Sequence, residues 1–178
     1  RTSYTVLHTH KAVTDKAVGR CVMSDRSRLL RLGFTGTRNE LTDHQLDWLW
    51  REMVSYRELH HGACVGADAA AHQAATDCGV PIIVHPPDNV RLRMDYDPRA
   101  TWLPAKPYLV RNRDIVDAAD ELIAIPDGPE RQQSGTWSTV RYAVRLGRLV
   151  TICYPDGRVE QRGPFATGWV QQKLGGAS

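Results

Sequence analysis

Glu121–Tyr154 reads ELIAIPDGPERQQSGTWSTVRYAVRLGRLVTICY. Two short apolar runs, Glu121–Pro126 and Leu149–Tyr154, flank a helical pattern from Thr136 to Leu146 that stops at Gly147. Runs that are apolar at nearly every position fit strands covered on both faces. Strand, helix and strand in this order make a βαβ unit with parallel strands.

The same alternation extends toward the N-terminus. Leu29–Phe34 is a strand. Leu46, Leu49, Trp50, Met53 and Val54 then recur at helical spacing, with Thr42 as N-cap and Gln45 completing a capping box. Leu59–Gly62 is a second strand, and Ala67–Cys78 an Ala-rich helix stopped by Gly79. Val80–His85 is a third strand, with Pro81 near its start where a missing N–H matters least. Residues 86–104 carry Pro86, Pro87, Pro98 and Pro104 without a clear period and form a long loop. Tyr108–Ala118 is a helix. These elements predict an α/β fold: a Rossmann-like, doubly wound, mainly parallel sheet of about five or more strands with helices on both faces.

The chain has 178 residues, 42% hydrophobic and 24% charged, which fits one globular domain. No apolar run approaches the roughly 18–20 residues that span a bilayer. The 23 basic and 20 acidic residues give a net charge of +3, too small to mark a general nucleic-acid binder. Cys21, Cys64, Cys78 and Cys153 are widely spaced without a CxxC, which reads as reduced thiols and a cytoplasmic protein. Residues 1–28 are expected to be an arm, with Met23 as a candidate native start. Residues 29–156 form the domain, and 157–178 a tail able to pack back as a short element.

Ligands of such folds bind outside the carboxyl ends of the strands, and three strand-to-helix junctions there are unusual. Gly33-Phe34-Thr35-Gly36-Thr37-Arg38 combines glycines for close approach, two hydroxyls and a guanidinium fork; a plain turn with a solvated arginine is the alternative. In Gly62-Ala63-Cys64-Val65-Gly66-Ala67-Asp68, small residues let a helix N-terminus face an anion. Asp68 and His72 share a helix face, so Asp68 can bind ribose, orient His72 or only cap the helix. His60, His61, Cys64 and His72 suggest a metal, but strand alternation separates the first two and no second Cys has finger spacing, so none is assigned. Ser134-Gly135-Thr136-Trp137, running on to Thr139, offers a cap, room for phosphate and an indole that either stacks on a base or packs inside. Arg91, Arg93, Arg99, Lys106, Arg111 and Arg113 add basic charge, and helical spacing turns only one of the last two toward the edge. Asn112 lies between them.

Together these stretches resemble the SLOG superfamily of Rossmann-like domains, and within it the small stand-alone YspA-like proteins of bacteria and phages. The matching residues are Gly33–Arg38, the HxGxxxGADxxxH stretch from His60 to His72, Arg111–Val116 and Ser134–Thr139. The resemblance implies a pocket for a nucleotide or nucleotide-derived small molecule at the carboxyl edge, with no bound cofactor, and is compatible with a homo-oligomer. Trp48, Trp50, Trp102 and Tyr108 are interface or core candidates. Its ligand set is Gly33, Thr35, Gly36, Thr37, Arg38, Gly62, Gly66, Ala67, Asp68, Arg111, Asn112, Ser134, Gly135, Thr136, Trp137 and Thr139. LOG-type phosphoribohydrolases of the superfamily use a glutamate in PGGxGTxxE and an upstream arginine; here that glutamate position is Thr139.

Three functions follow: a nucleotide-binding sensor or sequestering module, an N-glycosidic hydrolase with Asp68, His72 or Glu130 as acid/base, and a DNA-binding module like DprA of the same superfamily.

Overall fold

The structure is a computed structural model that describes residues 30–164. The arm 1–28 with Met23, and the tail beyond 164, lie outside the described residues. The elements run β1 (Leu30–Gly36), α1 (Asp43–Met53), β2 (Tyr56–His61), α2 (Ala67–Cys78), β3 (Ile82–Val84), β4 (Thr101–Trp102), α3 (Tyr108–Ala118), β5 (Glu121–Ile125), α4 (Gly135–Arg145), β6 (Leu149–Cys153) and β7 (Val159–Arg162). The strands form one seven-stranded sheet in the order β4-β3-β2-β1-β5-β6-β7, parallel except for β7.

Alternation along β5 shows why the sheet is covered twice. Ile123 and Ile125 pack with Trp48, Leu49 and Met53 of α1 and the alanines of α2. Leu122 and Ala124 pack with Val116 of α3 and Trp137, Val140 and Ala143 of α4. Both sets are buried, as a parallel sheet requires. Trp48 is in the core, with Trp50 and Trp102 packed against it.

The caps follow the sequence. Thr42 accepts from the Gln45 N–H, and the Gln45 side chain accepts from the Thr42 N–H. The Gln45 amide then donates to Pro126 O and Cys153 O, both at 3.1 Å, tying α1 to the carboxyl ends of β5 and β6. Gly79 ends α2 in the left-handed region at φ 68°.

Two strands enlarge the expected five. β4 is only two residues long and lies in the proline-rich stretch, where no periodicity marks it. β7 is the short element of the tail, returning antiparallel beside β6. No helix among the described residues is long and apolar enough to cross a membrane.

Candidate functional site

Strand order reverses between β1 and β5, so their carboxyl ends open a crevice. Three backbone-centred bonds close its floor. Thr37 N donates to Ile125 O at 2.8 Å, Ala67 N to Thr37 O at 2.9 Å, and Thr136 Oγ1 to Gly36 O at 2.8 Å. The end of β1 is thus bonded to the starts of α2 and α4, and the three unusual junctions meet in one place. Gly36 permits this, because a Cβ there would stand 2.3 Å from that of Ala67. Gly66, at φ 81°, passes so close to Arg38 that a Cβ would lie 2.6 Å from its carbonyl carbon.

Above this floor sit two guanidinium groups and one phenol ring. Arg111, on the first turn of α3, is only 4% exposed, whereas Arg113 is exposed. Its Cζ is 4.8 Å from the centre of the Tyr108 ring, and that of Arg38 is 5.2 Å from it, both within cation–π range. Arg111 Nη2 donates to Cys64 Sγ at 3.2 Å, while its buried Nε has no partner. A Cβ on Gly135 would meet Tyr108 Oη at 2.5 Å, so this hydroxyl stands at the start of α4. Ser134 caps that helix by accepting from Trp137 N.

Asp68 is buried and holds the loop before its own helix. It accepts from Cys64 N at 3.0 Å and from the Gly62 N–H. Burial pushes its carboxyl up, and the Arg111 charge with these two N–H groups pulls it back. Asp68 and His72 are not brought together. His72 belongs to a separate directed chain. Ala63 N–H donates to His61 Nδ1 at 3.1 Å, which leaves the His61 proton on Nε2. That proton points at His72 Nδ1, 3.0 Å away, and His72 Nε2 then donates to Asp97 Oδ2 at 3.0 Å. Burial, with His72 and Arg111 beside it, holds the His61 imidazole neutral. His60 faces away from His61, toward Glu58 and His85.

Several expected site residues fall elsewhere. Gly33 lies mid-strand against the Ala119 side chain and serves packing, since a Cβ would sit 3.0 Å from that of Ala119. Trp137 is fully buried in the core beside Tyr154, so stacking on a ligand is closed to it. Glu130 is bridged by Arg141 and Arg162, and the Arg162 contact holds its carboxyl below the usual range. Thr35 is half-buried one residue before the strand end. Asn112 and Thr139 are buried and bonded to each other, Nδ2 to Oγ1 at 3.0 Å, and Thr139 also donates to Gly135 O at 2.9 Å.

Sequence reading missed Tyr108 and Cys64 as parts of the site. The three-residue spacing of Tyr108 and Arg111 on one helix was the available signal. It also missed a cavity between α3 and α4 lined by Leu109, Asn112, Arg113, Ser138, Thr139, Tyr142 and Arg145.

No protein-family model and no curated protein matches the sequence. Solved structures do match. The molybdenum cofactor binding protein of the phototrophic bacterium Rippkaea orientalis superposes with a TM-score of 0.57 at 21% identity, over 71% of this chain and 77% of that one. The structural-genomics target TM1055 gives 0.52 at 19% identity, over 67% and 71%. DNA processing protein A of Streptococcus pneumoniae gives 0.53 at 18% identity, over 72% of this chain and 51% of that one. The chain therefore shares with these structures a Rossmann-like α/β fold.

Proposed function

We propose that the protein binds a nucleotide or nucleotide-derived small molecule by its phosphate at the carboxyl edge of β1 and β5, as a sensor or sequestering module. The observation that carries this reading is Arg111. A guanidinium only 4% exposed, with an unpartnered Nε, sits beside a second arginine and the starts of two helices. Leaving buried donors unmatched is unfavourable, and an anion in the crevice matches both the donors and the helix dipoles. Binding without turnover is favoured over hydrolysis because each acid/base candidate is committed: Asp68 to loop N–H groups, His72 to Asp97, and Glu130 to two arginines. The position of the LOG-type glutamate holds a neutral hydroxyl bonded to Asn112.

The test is thermal denaturation with a panel of nucleoside 5′-monophosphates, cyclic nucleotides and ADP-ribose, each reaction then run on a chromatography column. The expected result is a raised Tm with at least one compound and no released base. Ligand at 100 times its Kd adds about 2.7 kcal/mol, well above detection. No shift with any compound at millimolar concentration contradicts the binding reading, and a released base replaces it with the hydrolase.

A further inference from the structure

The chains leaving β1 and β5 are tied together twice. Thr37 N donates to Ile125 O at 2.8 Å on the crevice floor, and two residues further along each chain Asn39 Nδ2 donates to Asp127 Oδ2 at 3.3 Å. Arg38 is the residue between Thr37 and Asn39, so the Asp127 carboxylate is bonded to the immediate neighbour of a site arginine. Both legs of this ring are fixed. Asn39 N donates to Thr37 Oγ1 at 3.1 Å, and Pro126 O accepts from the buried Gln45 amide at 3.1 Å. Arg131 Nη2 donates to the same Asp127 Oδ2 at 2.9 Å and holds the carboxylate a second time.

Asp127 is the first residue past the buried Pro126, and its side chain is 27% exposed. Both of its bonds fall on Oδ2; among the described residues Oδ1 has no partner. Asn39 Oδ1, likewise without a partner among the described residues, is a second acceptor on the same rim. A carboxylate oxygen accepts and cannot donate, so a hydroxyl or an N–H fits it and a phosphate is repelled. An anion site with such an acceptor at its mouth matches a phosphate joined to a hydroxyl-bearing group better than a bare phosphate. The ribose of a nucleotide is such a group. Its 2′- and 3′-hydroxyls are neighbouring donors that acceptors on one rim can take together.

We propose that Asp127, held by Asn39 and Arg131, accepts hydrogen bonds from the ribose 2′- and 3′-hydroxyls of the ligand, which makes that ligand a ribonucleotide and sets it apart from deoxyribonucleotides and sugar-free phosphates. This rests on the reading of the crevice as the phosphate site. The carboxylate is fixed before the ligand arrives, so little freedom is lost on contact. Hydrogen bonds to a charged acceptor are among the stronger ones, which gives the hydroxyls weight in the choice of ligand.

Calorimetric titration tests it with the 5′-monophosphates of adenosine, guanosine, cytidine and uridine and with their 2′,3′-dideoxy counterparts. At least one ribonucleotide is expected to bind tenfold or more tightly than its own dideoxy counterpart, a difference of about 1.4 kcal/mol. In Asp127→Ala that advantage falls below threefold. Asp127 lies in an exposed loop, so the fold survives its replacement, and the wild-type ratio needs no variant at all. Each pair shares base and phosphate, so a general disturbance of the loop weakens both members and keeps their ratio. A wild-type advantage below tenfold overturns the hydroxyl contact and leaves the phosphate site standing, as does an advantage of threefold or more in Asp127→Ala. Absence of binding by all eight compounds overturns both.

Discussion

The Arg111 guanidinium lies directly on Gly62, so close that a Cβ at residue 62 would stand 1.5 Å from Nη1 and 2.3 Å from Cζ. The glycine opening the second junction and the arginine of the third helix are thus one structural unit. The missing side chain of the first makes room for the charge of the second. Asp68 completes the unit by holding the Gly62 and Cys64 N–H groups in place.

Gly62→Ala is therefore expected to evict Arg111 without unfolding the protein, since the displaced atoms end a flexible side chain. Affinity for whichever monophosphate binds the wild type should fall at least tenfold, with Tm changed by only a few degrees. Calorimetry and a melting curve on the same sample check this; unchanged affinity contradicts it.

Gly135→Glu puts a carboxylate where Tyr108 Oη now stands and where phosphate is proposed to meet α4. Ligand binding should be lost, because like charge and steric block act together. An affinity within twofold of the wild type would remove α4 from the site.

Gln45 joins α1 to two strand ends through one buried amide, and its oxygen closes the capping box. Gln45→Ala leaves Pro126 O and Cys153 O without this donor. The expected loss is about 2–3 kcal/mol of stability, read from urea unfolding. A loss below about 0.5 kcal/mol would mean that water replaces the amide.

Stability should fall as the solution is acidified. Burial holds His61 well below its ordinary range, and burial with His60 beside it lowers His85 to about 4. In the unfolded chain both titrate near pH 6.5, so below that the unfolded chain binds protons that the fold does not. Each histidine then removes up to about 1.4 kcal/mol per pH unit. Asp97 and Asp120, held low chiefly by Arg99 and Arg31, add to the loss only below about pH 4. Urea midpoints between pH 7.5 and 4.5 should decline steadily, and a flat profile would show that these histidines protonate in the folded state.

Much of this fold was legible because its strands are apolar on both sides and its helices carry plain caps. Thr42 with Gln45 and Gly79 each act at the expected place. The convergence of the three junctions was legible from strand–helix alternation alone. What each side chain does there was not. Asp68 and His72 share a helix face, yet one turns to the loop at the helix start and the other to a histidine on β2 and a distant aspartate. Trp137 sits in a motif that suggests stacking, but the amphipathic phase of α4 turns it inward. β4 left no trace, since two residues have no period and its pairing with β3 is decided by the chain on either side.

Arg111→Met tests the central claim most directly, because it keeps the side-chain bulk over Gly62 and removes only the charge. The affinity of the bound nucleoside monophosphate, measured by calorimetry for the wild type and this variant at equal salt, should drop at least fiftyfold. Equal affinities would contradict the assignment of the phosphate to this buried guanidinium, and with it the crevice between β1 and β5 as the ligand site.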